Sequence, residues 1–499
     1  MASDEKKNKH GQLKTIIPLP MPKEELQELV EVTKDWALMH GAAMRSKSNF
    51  CEDSLNFAPF VLLPSPFPRK EFNRAVEMQI ILNELMHKVA HNQSFLTSSL
   101  QETVLVDDFT GKLFKIYETI QDEGVTQPLS LGLIRSDIML ETDCNNPGKK
   151  CKAHAPYCCW KQVEVNTIAS GFGWLGPASG LIHRFVLERL GLTDKLKDLP
   201  ENHALKGLCE GMVEAWKIYG NNEAVIMFVI EDISYNICDQ RFHEFEIQKI
   251  NRNTKVIRRN LTQIAQTGKL SASNELIVED YTVAVVYYRA GYEPGHYHSQ
   301  KEWDARLLIE RSQAIKCPSI QYHLAGTKKV QQALAKSGAL EMFLSDKKKI
   351  EEVRGVFTGL YSLDFDELGD QAVRMAIESP ERFVLKPQRE GGGNNIYGDQ
   401  IRDAILKIKE NKERAAWILM DRIQPPIIQG YIVRPGGQKN LEVSELVSEL
   451  GIFGLIIGDS TNIMINRQVG HMLRTKTASA NEAGVAAGAG ALDSPYLVD

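Results

Sequence analysis

The sequence predicts a mixed α/β protein of more than one domain, and three observations lead to this. Apolar residues recur at helical spacing over residues 23–38 and 70–91, so the first part is helix-rich. From about residue 222 to 324, apolar runs of strand length alternate with helical segments. After residue 326, short strands and helices are mixed. A chain of 499 residues is long enough for two or three domains.

The middle part predicts a parallel α/β unit. Its strands are expected at residues 224–230, 255–258 and 281–288, and its helices at 237–250 and 302–315. Strands that are buried on both faces and alternate with helices are typical of parallel sheets. Ligands of such sheets bind beyond the carboxyl ends of the strands, which are here residues 234–240 and 289–292.

The last part predicts an α+β nucleotide-binding body. Helices are expected at residues 330–344 and 399–412, and strands at 382–385, 417–420 and 454–457. Residues 483–491 are rich in small side chains, and we expect an ordered loop there because Leu492 and Tyr496 follow it.

Composition restricts the class of partner and the compartment. A formal charge of −5 gives no general attraction to nucleic acid or anionic lipid, so a small ligand held by local basic residues is expected. The sequence has no apolar run of membrane-spanning length, and its polar, Lys-rich start predicts a cytoplasmic protein with a flexible tail over residues 1–22. Four scattered cysteines are expected to be reduced thiols: Cys51, Cys209, Cys238 and Cys317.

The sharpest local motif is RFVLKPQREGGGNNIYG at residues 382–398. An apolar strand delivers Lys386, and three consecutive glycines then allow backbone N–H groups to close on phosphate oxygens. Glu390, just before the glycines, is placed to hold a metal ion that bridges those phosphates. A glycine hairpin with a solvated face is the structural alternative.

A second motif is QVEVNTI at residues 162–168. Strand alternation puts Gln162, Glu164 and Asn166 on one face. A carboxylate and an amide oxygen two residues apart are ligands that magnesium accepts. The alternative is that these three residues form the solvent-exposed face of an edge strand.

A third motif pairs LRTK at residues 473–476 with GVAAG at 484–488. Two cations beside a loop of small residues suit a carboxylate and a very small second substrate, whereas a basic surface turn is the alternative. Arg135, Lys328 and Arg289 are further cationic candidates.

Four motifs occur together in one order: KPQREGGGNN at 386–395, SELGIFG at 448–454, GHMLRTK at 470–476 and GVAAG at 484–488. Through them, residues 26–499 resemble the eukaryotic glutathione synthetases, a family of the ATP-grasp superfamily. The resemblance implies an ATP-grasp fold with an inserted parallel α/β substrate-binding domain and a glycine-rich lid. The implied division is a tail (1–22), a helix-rich part of the ATP-grasp body (23–221), the substrate domain (222–325) and the nucleotide-binding part (326–499).

The resemblance also implies roles for individual residues. Those of the ATP site are Met139, Glu164, Lys328, Lys386, Glu390, Gly391, Gly392, Gly393, Asn394, Asn395, Tyr397, Met420, Asp421, Arg422, Ile423, Glu449, Lys476 and Glu482. Those of the substrate site are Arg135, Ala169, Ser170, Gly171, Phe172, Ser234, Tyr235, Asn236, Gln240, Arg289, Ala290, Gly291, Tyr292, Arg474, Val485 and Ala486. The implied magnesium ligands are Glu164, Asn166 and Glu390, and the implied catalytic residues are Arg135, Lys386 and Arg474.

The implied reaction joins γ-glutamylcysteine to glycine with ATP and two magnesium ions, through an acyl phosphate, in a homodimer. The stretch Ala169-Ser170-Gly171 and Ser234 depart from the family where the γ-glutamyl end should lie, and Asp421 and Glu482 exchange one acid for the other. A Cys- and His-containing insertion at residues 143–159 is expected to be a surface loop. Two alternatives stay open: a related ligase with another donor or amine, and a nucleotide-binding paralogue without turnover.

Overall fold

The described residues form one large sheet, one small four-stranded sheet and two strand pairs, β1 with β2 and β4 with β22, and helices pack on the two larger sheets. The computed structural model describes residues 11–47, 49–143, 156–437, 440–482, 484–485 and 489–499. The α-helices are α1 (Lys23–Met39), α2 (Arg69–Ala90), α3 (Gln93–Leu100), α4 (Asp108–Glu123), α5 (Leu175–Arg189), α6 (Ala204–Tyr219), α7 (Ile237–Ile250), α8 (Leu261–Thr267), α9 (Gln300–Arg311), α10 (Ile320–Ala325), α11 (Lys328–Leu334), α12 (Lys347–Val356), α13 (Glu367–Glu378) and α14 (Asp399–Ile408).

The strands are β1 (Ala43–Met44), β2 (Asn56–Phe57), β3 (Phe60–Val61), β4 (Ser65–Pro68), β5 (Ser130–Glu141), β6 (Cys159–Asn166), β7 (Val225–Val229), β8 (Val256–Arg259), β9 (Gly268–Leu270), β10 (Leu276–Val278), β11 (Tyr281–Tyr288), β12 (Ile315–Cys317), β13 (Leu360–Ser362), β14 (Phe383–Pro387), β15 (Ile396–Tyr397), β16 (Trp417–Asp421), β17 (Ile428–Gly430), β18 (Ile432–Val433), β19 (Ser444–Gly458), β20 (Ile463–Thr477), β21 (Gly490–Asp493) and β22 (Pro495–Val498).

The large sheet has fourteen strands and is built around β19 and β5. Its main path runs β18-β3-β21-β20-β19-β5-β12-β11-β10-β9, and β6, β7, β8 and β17 pair at its sides. Strand β5 is buried along almost its whole length, because helices cover one face and the candidate site lies on the other. The mixed α/β class that the sequence predicts is confirmed.

The predicted parallel unit is present within this sheet. Strands β8, β7, β11 and β12 pair side by side in parallel, and β12 continues in parallel onto β5 through the pair Lys316 and Ser130. The predicted strands at residues 224–230, 255–258 and 281–288 match β7, β8 and β11 within one residue at each end. The strands of the parallel unit and the central strands therefore share one sheet.

The small sheet is antiparallel and has the order β13-β16-β14-β15. Helices α13 and α14 cover it, and its core includes Leu363, Phe383, Leu385, Ile401 and Leu419. Strand β14 carries Lys386 and leads directly into the glycine loop, so this sheet presents the motif at 382–398 to the large sheet.

Three predicted helices end earlier than their apolar pattern suggests. Helix α9 ends at Arg311, and Ile315 already belongs to strand β12. The helix expected at 330–344 ends at Leu334, and Gly338, with a φ of 83°, lies in the turn that follows. Helix α14 ends at Ile408 rather than at Lys412, where a short 3₁₀ turn begins. Apolar side chains continue beyond each helix because the following turn or strand also packs on the core.

Residues 11–13 of the expected flexible tail pack onto the rest of the protein, whereas residues 1–10 of that tail lie outside the described residues. Gln12 forms a parallel bridge with Ile427, and the Leu13 side chain is buried in the main core. The four scattered cysteines, Cys51, Cys209, Cys238 and Cys317, are free thiols, as expected. Among the helices in the described residues, none is long and apolar enough to cross a membrane.

Candidate active site

A cavity of about 660 Å³ lies between the small sheet and the central strands of the large sheet. Strands β5, β6, β19 and β20 line one side, and β14, β16 and the glycine loop line the other. The predicted residues on its wall are Arg135, Met139, Glu164, Asn166, Ala169, Gly171, Phe172, Tyr292, Lys328, Lys386, Glu390, Gly391, Gly392, Asn394, Asn395, Tyr397, Met420, Asp421, Arg422, Ile423, Glu449, Arg474, Lys476 and Glu482. Segments that are distant in the sequence thus meet in one place.

A cluster of acidic and basic side chains forms the charged floor of the cavity. The Lys328 ammonium lies 2.7 Å from Glu390 Oε1 and 3.3 Å from Glu164 Oε2. The Lys386 ammonium donates to the Val163 carbonyl at 2.9 Å and lies 4.0 Å from the same Glu164 oxygen. Lys328 begins α11 and Lys386 lies within β14, so the regular backbone fixes where both side chains start.

Burial and charge act in opposite directions on these groups. Burial alone would raise the pKa of Glu164, but the charges of Lys328 and Lys386 outweigh it and hold that pKa well below its usual range. Burial raises the pKa of Glu390, and Lys328 opposes this only in part. Burial also lowers the pKa of Lys386. The floor therefore holds an ionised Glu164 beside cations that an arriving polyphosphate would stabilise.

Asp137, a residue that no sequence motif contains, organises the neighbouring cations. Its fully buried carboxylate accepts hydrogen bonds from Arg135 at 2.6 and 2.8 Å, and from the Asn166 amide at 3.0 Å. Arg474 approaches it at 3.4 Å and also donates to Glu449. Asp137 lies between Arg135 and Met139 on the same face of β5, so strand alternation directs all three toward the cavity side.

Arg135 keeps part of its donor capacity. Its guanidinium gives two N–H groups to Asp137 and one to the Gly171 carbonyl at 2.9 Å. An arginine has five N–H groups, so two are left for a ligand in the cavity. Gly451, on the neighbouring strand, makes this arrangement fit, because a Cβ there would lie 2.8 Å from both Arg135 Cδ and Asp137 Oδ1.

The glycine loop adopts a conformation that requires its sequence. Gly391, Gly392 and Gly393 have φ values of 94°, 75° and 80°, in the left-handed region that favours glycine. The loop also meets other segments of the cavity wall. A Cβ at Gly391 would lie 3.3 Å from the Tyr292 ring, and the Glu482 carboxylate accepts N–H groups from Gly393 and Asn395. These N–H groups bind a carboxylate here, which shows that the loop accepts an anion.

The rest of the cavity has an apolar section and a polar end. Met139, Val384, Met420, Ile423 and Val447 form the apolar section. Beyond them lie residues that the motifs do not contain, namely Gln12, Gln424, Pro425, Ile427, Glu445, Ala478, Ser479, Ala480 and Asn481. Two charged side chains, Glu445 and Lys476, also belong to this end, since Lys476 donates to the Asn481 carbonyl at 2.6 Å.

Several predicted site residues do not line the cavity. Ser170 and Gly393 are adjacent to lining residues, and Ala290 and Gly291 precede Tyr292. The Val485 side chain is buried in the core of the N-terminal helices, although Gly484 beside it does reach the cavity. Ala486 lies outside the described residues, as do residues 144–155 of the insertion.

The predicted donor-site residues form a layer behind the cavity. Arg258 donates to Ser234 at 3.2 Å and to Gln240 at 2.7 Å, and Gln240 donates to Asn236 at 2.6 Å. Tyr235 makes an edge contact with Phe50. Arg289 lies 3.4 Å from Asp239 and would meet a Cβ on Gly171 at 3.6 Å. These side chains therefore bond to neighbouring residues and do not line the cavity, and their role in donor binding stays a prediction.

The oxygen ligands expected for magnesium fit a cation. Glu164 and Glu390 both approach the ammonium of Lys328, so their oxygens converge on one position of positive charge. The Asn166 amide nitrogen is directed at Asp137, which leaves the amide oxygen as its ligand atom for the cavity. Carboxylate and amide oxygens are hard ligands of the type that magnesium takes, together with phosphate oxygens and water.

Comparison with known proteins agrees with this geometry. The family model described as eukaryotic glutathione synthase, ATP binding domain, matches residues 23–497. The chain is 43% identical to glutathione synthetase of Xenopus laevis over 475 residues, which covers 95% of this chain and 97% of that one. It is 41% identical to the Homo sapiens glutathione synthetase, covering 95% and 98%, and 38% identical to the chloroplastic one of Arabidopsis thaliana, covering 95% and 86%.

A solved structure gives the same result for the fold. The apo form of a glutathione synthetase-like effector from Globodera pallida superposes with a TM-score of 0.76 at 26% identity, covering 97% of this chain and 100% of that one. The match of the family model and the identity to the vertebrate and plant relatives extend over nearly the whole sequence. The chain therefore belongs to the eukaryotic glutathione synthase family.

Proposed function

We propose that this chain joins the cysteinyl carboxylate of γ-glutamylcysteine to the amine of glycine, with conversion of ATP to ADP and phosphate. As a member of its family, the chain is an ATP-dependent ligase that makes glutathione. The observation that carries the assignment of the site is the convergence of β6, β14, α11, β19 and β20 on one cavity with paired acidic and basic side chains.

The reaction needs an activated carboxylate, since amide formation from a free carboxylate is uphill in water. One carboxylate oxygen attacks the γ-phosphorus of ATP, ADP leaves, and an acyl phosphate results. The amine of glycine then attacks the acyl carbon, loses a proton, and expels phosphate, which retains the attacking oxygen. Positioning and charge stabilisation do most of this work, so no nucleophilic side chain is needed.

Lys386 and Lys328 are assigned to the phosphates. Both ammonium groups lie in the charged floor beside Glu164, and the glycine loop adds backbone N–H donors above them. Cations and N–H groups in such positions stabilise the charge of a transferring phosphoryl group. Glu164, Asn166 and Glu390 would hold magnesium, for which we propose two ions. Bound magnesium neutralises phosphate charge and orients the phosphate oxygens.

Arg135 and Arg474 are assigned to the end of the site that holds the reacting carboxylate. Asp137 holds both guanidinium groups, and two N–H groups of Arg135 are left to bind this carboxylate and the oxyanion that forms from it. Because Asp137 and Glu449 fix the two arginines before substrate binds, little reorganisation is needed during the reaction. Closure of the glycine loop would exclude water from the acyl phosphate.

The test is a reaction with γ-glutamylcysteine labelled with ¹⁸O in its cysteinyl carboxylate. We expect ADP release that depends on both γ-glutamylcysteine and glycine, glutathione as the product, and one ¹⁸O atom in the released phosphate. Glycine replaced by alanine or β-alanine is the specificity control. ADP release without an amide product would contradict the assignment, and unlabelled phosphate would contradict the acyl phosphate.

The assembly and compartment are also proposals. The resemblance to the family supports a homodimer, and the free thiols of Cys51, Cys209, Cys238 and Cys317 support a reducing compartment, for which we propose the cytoplasm. Light scattering coupled to size exclusion tests the first, with a mass of 56.1 kDa expected for one chain. Imaging of the tagged full-length chain tests the second.

A further inference from the structure

The polar end of the cavity contains a residue from the N-terminal segment. We define the N-terminal strap as residues 11–13. The Ile427 amide donates to the Gly11 carbonyl at 2.8 Å, and the Leu13 amide donates to the Ile427 carbonyl at 3.0 Å. These two bonds bracket Gln12 and pair it with Ile427.

Two further contacts fix the strap in place. The Leu13 side chain is buried in the main core, with only 6% of its surface exposed. Gly11 packs against the backbone of Pro156, since a Cβ on Gly11 would lie 2.2 Å from the Pro156 carbonyl oxygen. Only glycine allows this approach, so the sequence Gly11-Gln12-Leu13 suits the docked strap.

The pairing orients Gln12 toward the cavity. Side chains of residues paired in a bridge lie on the same face of the two segments. Ile427 lines the cavity, and Gln12 lines it as well, beside Gln424 and Pro425. The exposed side chain of Gln12 therefore lines the cavity beside the segment that follows β16. Asp421, the last residue of β16, pairs with Phe383, whereas Lys386 pairs with Ile418, so this segment leaves the small sheet at the end opposite to Lys386.

This end suits the nucleoside of ATP, an assignment that depends on the proposed function. Phosphates belong at the charged floor, and the apolar section between Val384, Met420, Ile423 and Val447 suits the flat face of a base. The residues beyond this section must satisfy the hydrogen-bonding groups of the base edge or the ribose. A glutamine amide both donates and accepts, and it carries no charge that would compete for the phosphates.

We propose that Gln12 is a nucleoside-binding residue of this enzyme. The strap closes the nucleoside end of the cavity, and the Gln12 amide hydrogen-bonds the base edge or the ribose of the bound nucleotide. The nucleotide site is therefore completed by a segment 380 residues before the glycine loop, and its affinity depends on docking of the strap onto Ile427 and Pro156.

The first experiment compares Gln12→Ala with the full-length unmodified enzyme. We expect KM for ATP and the Kd for magnesium ADP, from calorimetry, to rise about five- to tenfold, which corresponds to one lost hydrogen bond. We expect kcat and the KM values for γ-glutamylcysteine and glycine to stay unchanged. Gln266→Ala, an exposed glutamine on α8, is the matched control and should leave all these constants unchanged.

A second variant tests the docking. Gly11→Ala places a methyl group against Pro156, so it should raise the Kd for ADP as Gln12→Ala does, with an unchanged melting temperature. Repeating the measurements with 2′-deoxy-ATP and ITP identifies the contacted group: the effect of Gln12→Ala should vanish for the nucleotide that lacks it. An unchanged Kd for ADP in both variants would overturn the proposal. Because calorimetry needs no turnover, this result is independent of failure of the ligase assay.

Discussion

Asp137 accepts hydrogen bonds from two arginines and an asparagine that approach from three strands. Asn166 and Arg474 belong to motifs that the sequence singles out, and Arg135 is a separate cationic candidate, whereas Asp137 is not among the candidates. Only Arg135 is a neighbour of Asp137 on β5, while the other two partners come from β6 and β20, so the sequence does not show that they meet at this acid. The sequence therefore predicts the charged groups of the site but not the carboxylate that holds them together.

The Glu390→Ala variant tests the acidic side of the floor. Removing this carboxylate leaves Lys328 paired only with Glu164 and removes an expected magnesium ligand. We expect kcat to fall about 10²-fold or more, with little change in melting temperature, because Glu390 lies at the edge of a loop. Turnover at saturating magnesium beside a thermal melt measures both. Glu351→Ala, an exposed glutamate on α12, is the control, and near-normal turnover of the Glu390 variant would refute the metal role.

The charge of Lys476 predicts that kcat/KM for ATP falls as pH rises. Burial lowers its pKa to about 8, so the unliganded enzyme loses this positive charge as pH rises through 8. If the charge binds ATP, kcat/KM for ATP should decline above pH 8. Lys476→Arg should keep its value up to pH 9, because a guanidinium stays protonated. Parallel profiles for the two proteins between pH 7 and 9.5 would exclude Lys476 as the titrating group.

At the scale of elements, the ladder between β5 and β6 explains how an insertion can be accommodated next to the site. The two strands stay paired up to Glu141 and Cys159, and the Cys158 amide donates to the Glu141 carbonyl at 2.8 Å. The ends of the insertion are thus neighbours, and a short turn can join them. The predicted site residues of these two strands, Arg135, Met139, Glu164 and Asn166, lie within the paired part of the ladder and not in the insertion.

Replacing residues 144–155 by a two- or three-residue glycine-containing turn should therefore preserve activity. The hairpin keeps its register, so Glu164 and Asn166 keep their positions. We expect kcat within about twofold of the unmodified enzyme and an unchanged melting temperature. Zinc near one per chain in the unmodified protein, lost together with stability on excision, would contradict a surface-loop role.

Asp493 joins three elements through its carboxylate. It accepts from Ser65 Oγ and Thr475 Oγ1, both at 2.5 Å, and so connects β21 to β4 and β20. Burial raises its pKa to about 7 from an ordinary value of 3.8. Below pH 3.8 both the folded and unfolded states are protonated, and the stabilisation by the neutral acid is fully present. It is lost as pH rises through 7, by at most about 1.4 kcal/mol for each pH unit.

We therefore expect the Asp493→Asn variant to gain stability relative to the unmodified protein as pH rises from 5 to 7. An asparagine keeps an acceptor and adds donors to hydroxyl groups that can rotate. Urea unfolding of both proteins at pH 5, 6 and 7 measures the difference, in which other titrations cancel. A difference that does not change with pH would refute a raised Asp493 pKa.

The structure contains most of the helices and strands that the sequence predicts. The predictions that are wrong have a common cause. Predicted strands that alternate with helices match β7, β8 and β11, because a buried run of β-branched and aromatic residues has strand length and clear ends. The helix expected at 330–344 fails since Leu340 and Phe343 are buried by a short turn rather than a helix. The spacing of apolar residues indicates which side chains are buried, but it does not distinguish a helix from a turn that buries the same side chains. Gln12 escapes prediction for a related reason, because a polar residue in an N-terminal tail has no pattern at all.

At the scale of the whole molecule, the cavity lies between two sheets with separate cores. The large sheet supplies Glu164, Glu449 and Lys476, and the small sheet supplies Lys386 and Met420. A nucleotide in this cavity would contact both bodies at once. Ligand binding would therefore stabilise the arrangement of the two sheets as well as each sheet itself.

Magnesium ADP should accordingly raise the melting temperature of the full chain. At a hundred times its Kd, a ligand that binds only the folded state adds about 2.7 kcal/mol to the free energy of unfolding. Lys386→Met, which removes a floor cation and keeps most of the side-chain volume, should abolish most of this shift while leaving the melting temperature of the unliganded protein nearly unchanged. Equal shifts in the two proteins would show that Lys386 does not bind the nucleotide.

Gly451 has a consequence for how this family can change over time. A single methyl group at this position would collide with both Arg135 and Asp137. The missing side chain of this glycine in the SELGIFG motif therefore leaves the room that the ion pair occupies. We therefore expect Gly451 to be replaced only in lineages that have also lost the Arg135–Asp137 ion pair. We expect family members that have lost catalytic activity to differ at Arg135, Asp137 and Gly451 together, and active members to differ at none of these positions.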